Sequence, residues 1–198
     1  PLADFVRVGF NDPLYILYSS GTTGAPKCIV HGVGGVTLQH AKELRLHSDV
    51  RPEDRLFFFT TCGWMMWNWV VSGLMVGTPV ILYEGNPFHP GPDRLWQMVE
   101  AERLTHMGVS AKYVDAVRNA GYLPGQNVDL SALRMIMSTG SPLSAEAFEF
   151  IYRDVSPSLQ LCSISGGTDL ISCFVLGTPT QPVHAGEIQS RGLGMAVE

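Results

Sequence analysis

Charged residues are scarce in this chain of 198 residues. They make up 16% of the sequence, whereas an average globular domain has about 25%. Thirteen lysines and arginines stand against 18 aspartates and glutamates, so the formal net charge is −5. A chain without a basic excess lacks the positive surface that nucleic acids and anionic membranes attract. We therefore predict neither a nucleic-acid partner nor a membrane-surface function.

Clustered metal ligands and paired cysteines are also lacking. The four cysteines, Cys28, Cys62, Cys162 and Cys173, form no CxxC pair, and the six histidines show no HExxH spacing. A disulfide framework belongs mostly to short secreted chains, and a zinc site needs clustered ligands. Free thiols in a reducing compartment fit this pattern better, which predicts a cytoplasmic location.

A membrane-spanning helix is the next class to exclude. Residues 64–83 are almost wholly apolar and have about the length of a transmembrane helix. However, Asn68 and Ser72 interrupt the run, and Gly77-Thr78-Pro79 is a break that ends a helix. We predict a buried helix, a turn and a buried strand in this stretch, and no membrane span.

Short apolar runs alternate along the chain with segments of helical period. Strands are predicted at 14–18, 28–30, 56–61, 80–83, 107–110, 133–137 and 159–164, and helices at 36–46, 65–75, 93–104, 112–120 and after Ser144. This order predicts an α/β fold with a mostly parallel sheet flanked by helices on both faces. In such sheets ligands bind where loops leave the carboxyl ends of the strands.

The first predicted helix, residues 36–46, has an amphipathic pattern. We expect Leu38, Ala41, Leu44 and Leu46 to face the core, and His40, Lys42, Glu43 and Arg45 to face water. In the helix that starts at Asp93, the inward positions are predicted to be Leu95, Met98, Val99 and Leu104.

The loop that follows the first strand has the composition of a phosphate cradle. Residues 19–27 read SSGTTGAPK, so hydroxyl groups and flexible glycine backbone surround one lysine, as in anion-binding loops. The Walker A pattern fails, because Pro26 stands where its second glycine should be and Cys28 where its hydroxyl should be. The alternative is a hairpin turn of the same composition that binds no ligand.

These nine residues resemble the signature of the acyl-adenylate-forming superfamily, which includes acyl-CoA synthetases, peptide-synthetase adenylation domains and luciferases. Three further stretches occur in that superfamily's order, Gly63-Trp64, STGSPL at 138–143 and SGGTD at 165–169. Within the superfamily, the chain is most similar to the acetoacetyl-CoA synthetases, through TTCGWMMWN at 60–68, GEIQ at 186–189 and LGMAV at 193–197. The resemblance extends from about residue 13 to the end and implies the fold of the large N-terminal domain.

The resemblance implies a role for each motif. Enzymes of this superfamily join an acid to the α-phosphate of ATP, release pyrophosphate, and pass the acyl group from AMP to CoA. The implied phosphate ligands are Ser19, Ser20, Gly21, Thr22, Thr23, Gly24 and Lys27, and the implied adenosine-side residues are Gly140, Ser141, Pro142, Ser165, Gly166 and Gly167. Thr168 would contact the α-phosphate, and Thr168 and Lys27 are the implied catalytic residues. Asp169 would bind Mg²⁺. Asp169 replaces the more common glutamate, and Ser141 replaces a common acidic residue.

The implied acid pocket is small but larger than one for acetate. Gly63, Trp64 and Gly166 would form its walls, and Gly166 stands where acetyl-CoA synthetases have a tryptophan. An absent indole leaves room for a longer acyl group, so the resemblance favours acetoacetate. Its ketone needs a hydrogen-bond donor, for which Asn68 and Ser165 are candidates. Trp67 and Trp69 are interpreted as core residues.

The resemblance also implies that residues 1–198 are part of a longer adenylation domain. The C-terminal domain, with its catalytic lysine and the ribose-binding aspartate before it, is absent from the sequence, so we expect the isolated chain to turn over negligibly and to be poorly soluble. Two alternatives remain open: a ligase for another short acyl or keto acid, and a non-catalytic nucleotide-binding domain of the same fold. A hydrolase using Ser165, Asp169 and His184, which occur in the chain order of a hydrolase triad, is disfavoured. The hydrolase lacks a GxSxG elbow.

Overall fold

The computed structural model describes residues 4–19 and 24–198. Its central element is a five-stranded sheet in the order β4-β3-β5-β6-β7. These strands are β3 (Leu56–Phe58), β4 (Val80–Ile81), β5 (His106–Ser110), β6 (Met135–Thr139) and β7 (Gln160–Ser163). Every neighbouring pair in it is parallel, which confirms the predicted fold class.

Helices cover both faces of this sheet. They are α1 (Val33–Lys42), α2 (Met65–Val71), α3 (Arg94–Ala101), α4 (Ala111–Asn119), α5 (Pro124–Asn127) and α6 (Ala145–Phe150). Helix α1 continues as a π-helical turn, Glu43–His47, α2 as a 3₁₀ turn, Ser72–Val76, and α6 as a second π-helical turn, Ile151–Val155. The element boundaries differ from the predicted ones by a few residues.

Alternating strand residues divide the core between the two faces, as expected for strands with a period of two. One cluster joins Phe57, Met107, Ile136 and Leu161 to side chains of α3, α4 and α6. The other joins Leu56, Phe58, Met135, Met137 and Cys162 to Leu44, Trp69 and Val70 of α2 and the first π-helical turn. Because both faces are buried, apolar residues occupy consecutive positions of these strands and do not simply alternate with polar ones.

Two smaller antiparallel units flank the central sheet. Strands β1 (Pro13–Ser19) and β2 (Lys27–Gly32) form a hairpin in which Ser19 pairs with Lys27. Strands β8 (Ser165–Gly167), β9 (Ser172–Leu176) and β10 (Ser190–Arg191) form the second unit. Strand β8 follows β7 after a single residue, Ile164, so this unit begins directly at the carboxyl edge of the parallel sheet.

The prediction for the inner face of the first helix is confirmed at Leu44, which is buried, but it is wrong at four other positions. His40 and Glu43, which were expected to face water, are fully buried, whereas Leu38 and Leu46 are exposed. The helix packs its polar side against other polar groups: the His40 ring bonds the Ser72 hydroxyl at 2.8 Å and the Ile171 carbonyl at 2.7 Å. Satisfied hydrogen bonds allow these polar groups to be buried.

Among the described residues, no helix has both the length and the apolar character that crossing a membrane requires.

Candidate active site

A cavity of about 760 Å³ opens at the carboxyl edge of the parallel sheet. Its lining includes the residues that end three strands, Ser110 of β5, Thr139 of β6 and Ser163 of β7. This is the edge at which ligands bind in open α/β sheets. The volume lies in the range of small-molecule sites.

The mouth of the cavity is built from segments that the sequence singled out. Gly140, Ser141 and Pro142 follow β6, and Ser165 and Gly166 lie in β8. Gly140 has a φ of 91°, a left-handed conformation that favours glycine, so it turns the chain sharply at the strand end. Helix α6 begins after Ser144, as predicted, and the Ser144 hydroxyl accepts from the Ala147 amide.

The inner end of the cavity is more deeply buried than the mouth. Its walls include Phe58, Trp69, Ser172 and Cys173, which are buried, whereas Trp64 at the mouth is 58% exposed. The rings of Phe58 and Trp69 meet edge to face with centroids 6.4 Å apart. An elongated ligand therefore has one end near water and the other among buried side chains.

A buried carboxylate, that of Glu43, is the unexpected member of this inner wall. It comes from the π-helical turn after α1 and is 0% exposed. Its Oε2 atom accepts the Trp69 indole N–H at 2.9 Å, and its Oε1 atom accepts from the Ser172 hydroxyl and from Gln39 at 2.8 Å. No sequence signal separates this glutamate from the charged surface residues of an amphipathic helix.

Cys173 also lines the inner wall, beside the same carboxylate. Burial, and then the charge of Glu43, raise the pKa of its thiol well above the ordinary value. The thiol donates to Glu43 Oε1 at 3.2 Å and stays protonated at neutral pH. Cys173 is therefore a poor nucleophile.

The predicted phosphate loop connects the two strands of the hairpin, which places its ends, Ser19 and Lys27, on adjacent strands. Ser20, Gly21, Thr22 and Thr23 lie outside the described residues. Neither Ser19, Gly24 nor Lys27 lines the cavity. The phosphate-binding role of this loop stays a prediction.

One hydrogen bond connects the hairpin to Thr168, the predicted contact of the α-phosphate. The His31 ring of β2 donates from Nε2 to the Thr168 carbonyl at 2.8 Å. Thr168 and Asp169 lie in the turn between β8 and β9, directly after Gly167. The base of the predicted phosphate loop and the Thr168 turn are thus held side by side, next to the cavity that β8 lines.

The Asp169 carboxylate is exposed in that turn. Among the described residues, no group of three or more His, Cys, Asp or Glu side chains is arranged to hold a metal. A single carboxylate oxygen still suits Mg²⁺, which commonly binds one or two carboxylates and completes its shell with phosphates and water. Asp169 therefore fits a metal that arrives with a nucleotide, and does not form a protein-only metal site.

Gly166 lines the cavity, but its backbone has no room for a side chain. A Cβ atom there would lie 2.1 Å from the Ser172 carbonyl oxygen and 2.4 Å from the Cys173 Cα. A larger residue would require β8 and β9 to separate, so it would not simply close the pocket. The predicted gain in pocket volume at Gly166 does not follow from this geometry.

The other pocket candidates divide between the cavity and its surroundings. Trp64 lines the mouth, whereas Gly63 does not. Trp69 is a core residue, as interpreted from the sequence, and it also lines the cavity. Asn68 is buried but does not line the cavity, whereas Ser165 does. Of the two candidate ketone donors, only Ser165 lines the cavity, and it lies at the mouth and not at the inner end.

The hydrolase alternative has no support in the geometry. Ser165, Asp169 and His184 are all described, and no hydrogen bond connects their side chains. A triad needs the nucleophile, base and orienting acid within hydrogen-bond reach.

Comparison with known proteins gives concordant matches. A family model described as "AMP-binding enzyme" matches residues 4–195. The chain is 59% identical over 194 residues to an acetoacetyl-coenzyme A synthetase of Rhizobium meliloti (strain 1021), covering 98% of this chain and 30% of that protein. It is 46% identical over 209 residues to a malonamoyl-CoA synthetase of Penicillium aethiopicum, covering 98% of this chain and 29% of that protein.

A solved structure agrees with the sequence relatives. Acetoacetyl-CoA synthetase from Streptomyces lividans superposes with a TM-score of 0.91 at 47% identity, over 96% of this chain and 30% of that protein. The chain therefore spans about 30% of the length of the relatives that it matches.

Proposed function

Because this chain belongs to the family of AMP-binding enzymes, we propose that it forms the central part of an acid–thiol ligase that activates acetoacetate with ATP and transfers it to CoA. The observation that carries the proposal is the cavity, whose mouth gathers Gly140, Ser141, Pro142, Ser165 and Gly166 and whose inner end is buried. In this proposal the nucleotide binds at the mouth of the cavity, and the tail of the acid binds at the buried inner end. The similar proteins named as acetoacetyl-CoA synthetases favour this acid.

The proposed reaction has two steps. In the first, a carboxylate oxygen of acetoacetate bonds to the α-phosphorus of ATP, and the bond between the α- and β-phosphates breaks to release pyrophosphate. In the second, the sulfur of CoA attacks the acyl carbon, AMP leaves, and the thiol proton is lost to water. Transfers of this type depend on positioning and charge neutralisation.

Residues of the hairpin and the β8–β9 turn supply that positioning in our proposal. Lys27 and the loop 19–24 hold the β- and γ-phosphates, and the Thr168 hydroxyl contacts the α-phosphate. His31 fixes the Thr168 backbone from the hairpin, so both contacts move as a unit. Asp169 would hold Mg²⁺, which supplies charge neutralisation on the phosphates when bound.

The test is an assay of the full-length protein that carries this chain. With acetoacetate, ATP and CoA we expect acetoacetyl-CoA and AMP in equal amounts. Lys27→Ala and Asp169→Ala should each lower kcat/KM by about 10²-fold or more, because each removes charge stabilisation of the transferring group. Arg153→Ala and Asp129→Ala, which change exposed residues away from the cavity, serve as matched controls.

Two outcomes contradict the proposal in different ways. A panel of acids in which acetate is preferred would assign the protein to another short-acyl ligase. AMP release that is unchanged in both Lys27→Ala and Asp169→Ala would contradict the proposed roles of these two residues in catalysis.

A further inference from the structure

The Glu43 carboxylate is a buried charge placed in the wall of the acid pocket. It is 0% exposed, and it lines the inner end of the cavity together with Trp69, Ser172 and Cys173. None of the roles proposed above uses it. A buried carboxylate is costly unless it is well hydrogen-bonded, so its presence calls for a specific reason.

The partners of Glu43 are all donors. Oε1 accepts from Gln39, Ser172 and Cys173, and Oε2 accepts from Trp69. Gln39 also donates to the Ser172 hydroxyl at 2.8 Å, which leaves the Ser172 proton directed at Glu43. An ionised carboxylate is an acceptor only, so this set of donors matches the charged form.

The negative charge of Glu43 is only partly compensated. The Lys42 ammonium lies 3.9 Å from Oε1, but it donates to the Gln39 amide oxygen at 3.0 Å and to the Leu193 carbonyl at 2.8 Å. Lys112 also lines the cavity, and it is exposed to water. Among the described residues that line the buried inner end of the cavity, Glu43 is therefore the one that brings a charge.

We propose that Glu43 is a specificity-determining residue, which excludes acids whose tail carries a second negative charge and admits acids of the same size with a neutral tail. This inference rests on the proposed function, since it requires the reacting carboxylate at the mouth and the acid tail at the inner end. The substrate class is thereby narrowed to short 3-carbonyl acids with an uncharged terminus, such as a methyl ketone or a primary amide. Malonate has nearly the same shape as acetoacetate but ends in a carboxylate, and it is the acid that this charge rejects.

The expected size of the effect is large. Two like charges about 6 Å apart, in surroundings with an effective dielectric constant of about 20, repel strongly enough to change a rate constant roughly 100-fold. A methyl ketone or an amide experiences no such repulsion.

The first experiment uses the wild-type full-length protein and three acids of nearly equal size. Acid-dependent release of AMP is measured with acetoacetate, malonamate and malonate. We expect kcat/KM for malonamate to exceed that for malonate at least about 30-fold, with the difference mainly in KM. Equal use of malonamate and malonate would overturn the proposal without any variant.

The second experiment removes the charge and keeps the shape. In Glu43→Gln we expect the ratio of kcat/KM for malonate to that for acetoacetate to rise at least about 10-fold. Phe58→Leu is the matched control, because it loosens the same wall and leaves the hydrogen bonds of Glu43 in place. A similar rise in Phe58→Leu would mean that a loosened wall, and not the charge, sets the selection, which would overturn the proposal.

The two proposals fail separately. If the wild-type protein makes no acetoacetyl-CoA, the proposed function is wrong. If it makes acetoacetyl-CoA but accepts malonate as readily as malonamate, the proposed function stands and the role of Glu43 is wrong.

Discussion

Burial fixes the protonation state of His40. Its ring is fully buried between the Ser72 hydroxyl and the Ile171 carbonyl. Burial lowers its pKa below the ordinary value, and the hydrogen bond to Ile171 opposes this shift only in part. His106 is in the same situation, between Thr105 and the Ser48 carbonyl, and burial lowers its pKa as well.

Because of these two histidines, we predict that the protein loses stability in mild acid. In the unfolded chain these histidines bind protons near pH 6.5, and in the folded chain they bind them only at lower pH. Their contribution to the free energy of unfolding is therefore fully present above about pH 6.5 and falls as the pH drops below it. The slope approaches about 1.4 kcal/mol per pH unit for each histidine. Urea unfolding of the full-length protein at pH 7.5 and 5.5 checks this. His40→Gln should show a smaller pH effect than wild type, and a change of the exposed His89 to Gln should not.

Two tryptophans provide a matched test of buried hydrogen bonding. The Trp69 indole N–H donates to Glu43 at 2.9 Å, whereas the buried Trp96 N–H has no partner among the described residues. We expect Trp69→Phe to cost about 1–3 kcal/mol more unfolding free energy than Trp96→Phe, because it leaves a buried carboxylate oxygen unsatisfied. Denaturant midpoints of the two variants measure the difference. Equal losses would argue against a role of this bond in stability.

At the scale of elements, the N-termini of two helices behave differently. The Ser144 hydroxyl accepts the Ala147 amide at 3.2 Å and caps α6, but the Asp93 side chain makes no cap bond at α3 and instead accepts from Gln97. Ser144→Ala should therefore cost about 1 kcal/mol, and Asp93→Ala less. Thermal or urea unfolding of both variants compares them, and a larger loss in Asp93→Ala would contradict the assignment.

Adjacent glycines of β8 test the packing of the small sheet. A Cβ at Gly166 would collide with the Ser172 carbonyl oxygen, whereas a Cβ at Gly167 would meet nothing within 4 Å. We expect Gly166→Ala to lower the melting temperature by several degrees, because β8 and β9 must separate, and Gly167→Ala to leave it nearly unchanged. If Gly166→Ala were as stable as Gly167→Ala, the pocket could be closed by a side chain there after all.

The parallel sheet was predictable because its strands are apolar on both faces. Runs such as Met135–Thr139 and Gln160–Ser163 stand out against the helical segments between them. The inner face of α1 was not predictable, because its buried side chains, His40 and Glu43, have the composition of a surface. Two of their partners, Ile171 and Ser172, lie about 130 residues away in β9 and its preceding turn, and no local pattern records such contacts.

The candidate site was predictable as far as its motifs go. Loops after β6 and β7 were expected to hold ligand contacts, and the structure brings Gly140 and Gly166 to one cavity. The inner wall was missed, since Glu43, Ser172 and Cys173 belong to no motif and meet only through the tertiary fold. The hairpin contact between His31 and Thr168 was missed for the same reason.

At the scale of the whole molecule, one face of the β1–β2 hairpin is apolar and exposed. Leu14, Ile16, Tyr18 and Val30 lie on it, and Ile16 pairs directly with Val30. Exposed apolar patches of this kind mark contact surfaces or association sites. The isolated chain is therefore predicted to associate with itself.

Sedimentation of the isolated chain tests this prediction. We expect oligomers or aggregates, and a shift towards monomer in the double variant Ile16→Glu, Val30→Lys, which replaces a cross-strand apolar pair by an ion pair. The double variant Glu146→Lys, Arg153→Glu, at exposed positions of α6 and of the π-helical turn that follows it, is the control. A monodisperse, cooperatively melting wild-type chain would contradict the prediction.

The bonds around Glu43 also constrain the order in which the molecule can be completed on the ribosome. Glu43 and Ser172 are separated by 129 positions in sequence. During translation Glu43 is therefore made long before Ser172. Until Ser172 has been added, water must solvate the Glu43 carboxylate. The parallel strands β3 to β7 are all synthesised before β9, so the sheet edge is made first and the inner wall of the cavity is closed last.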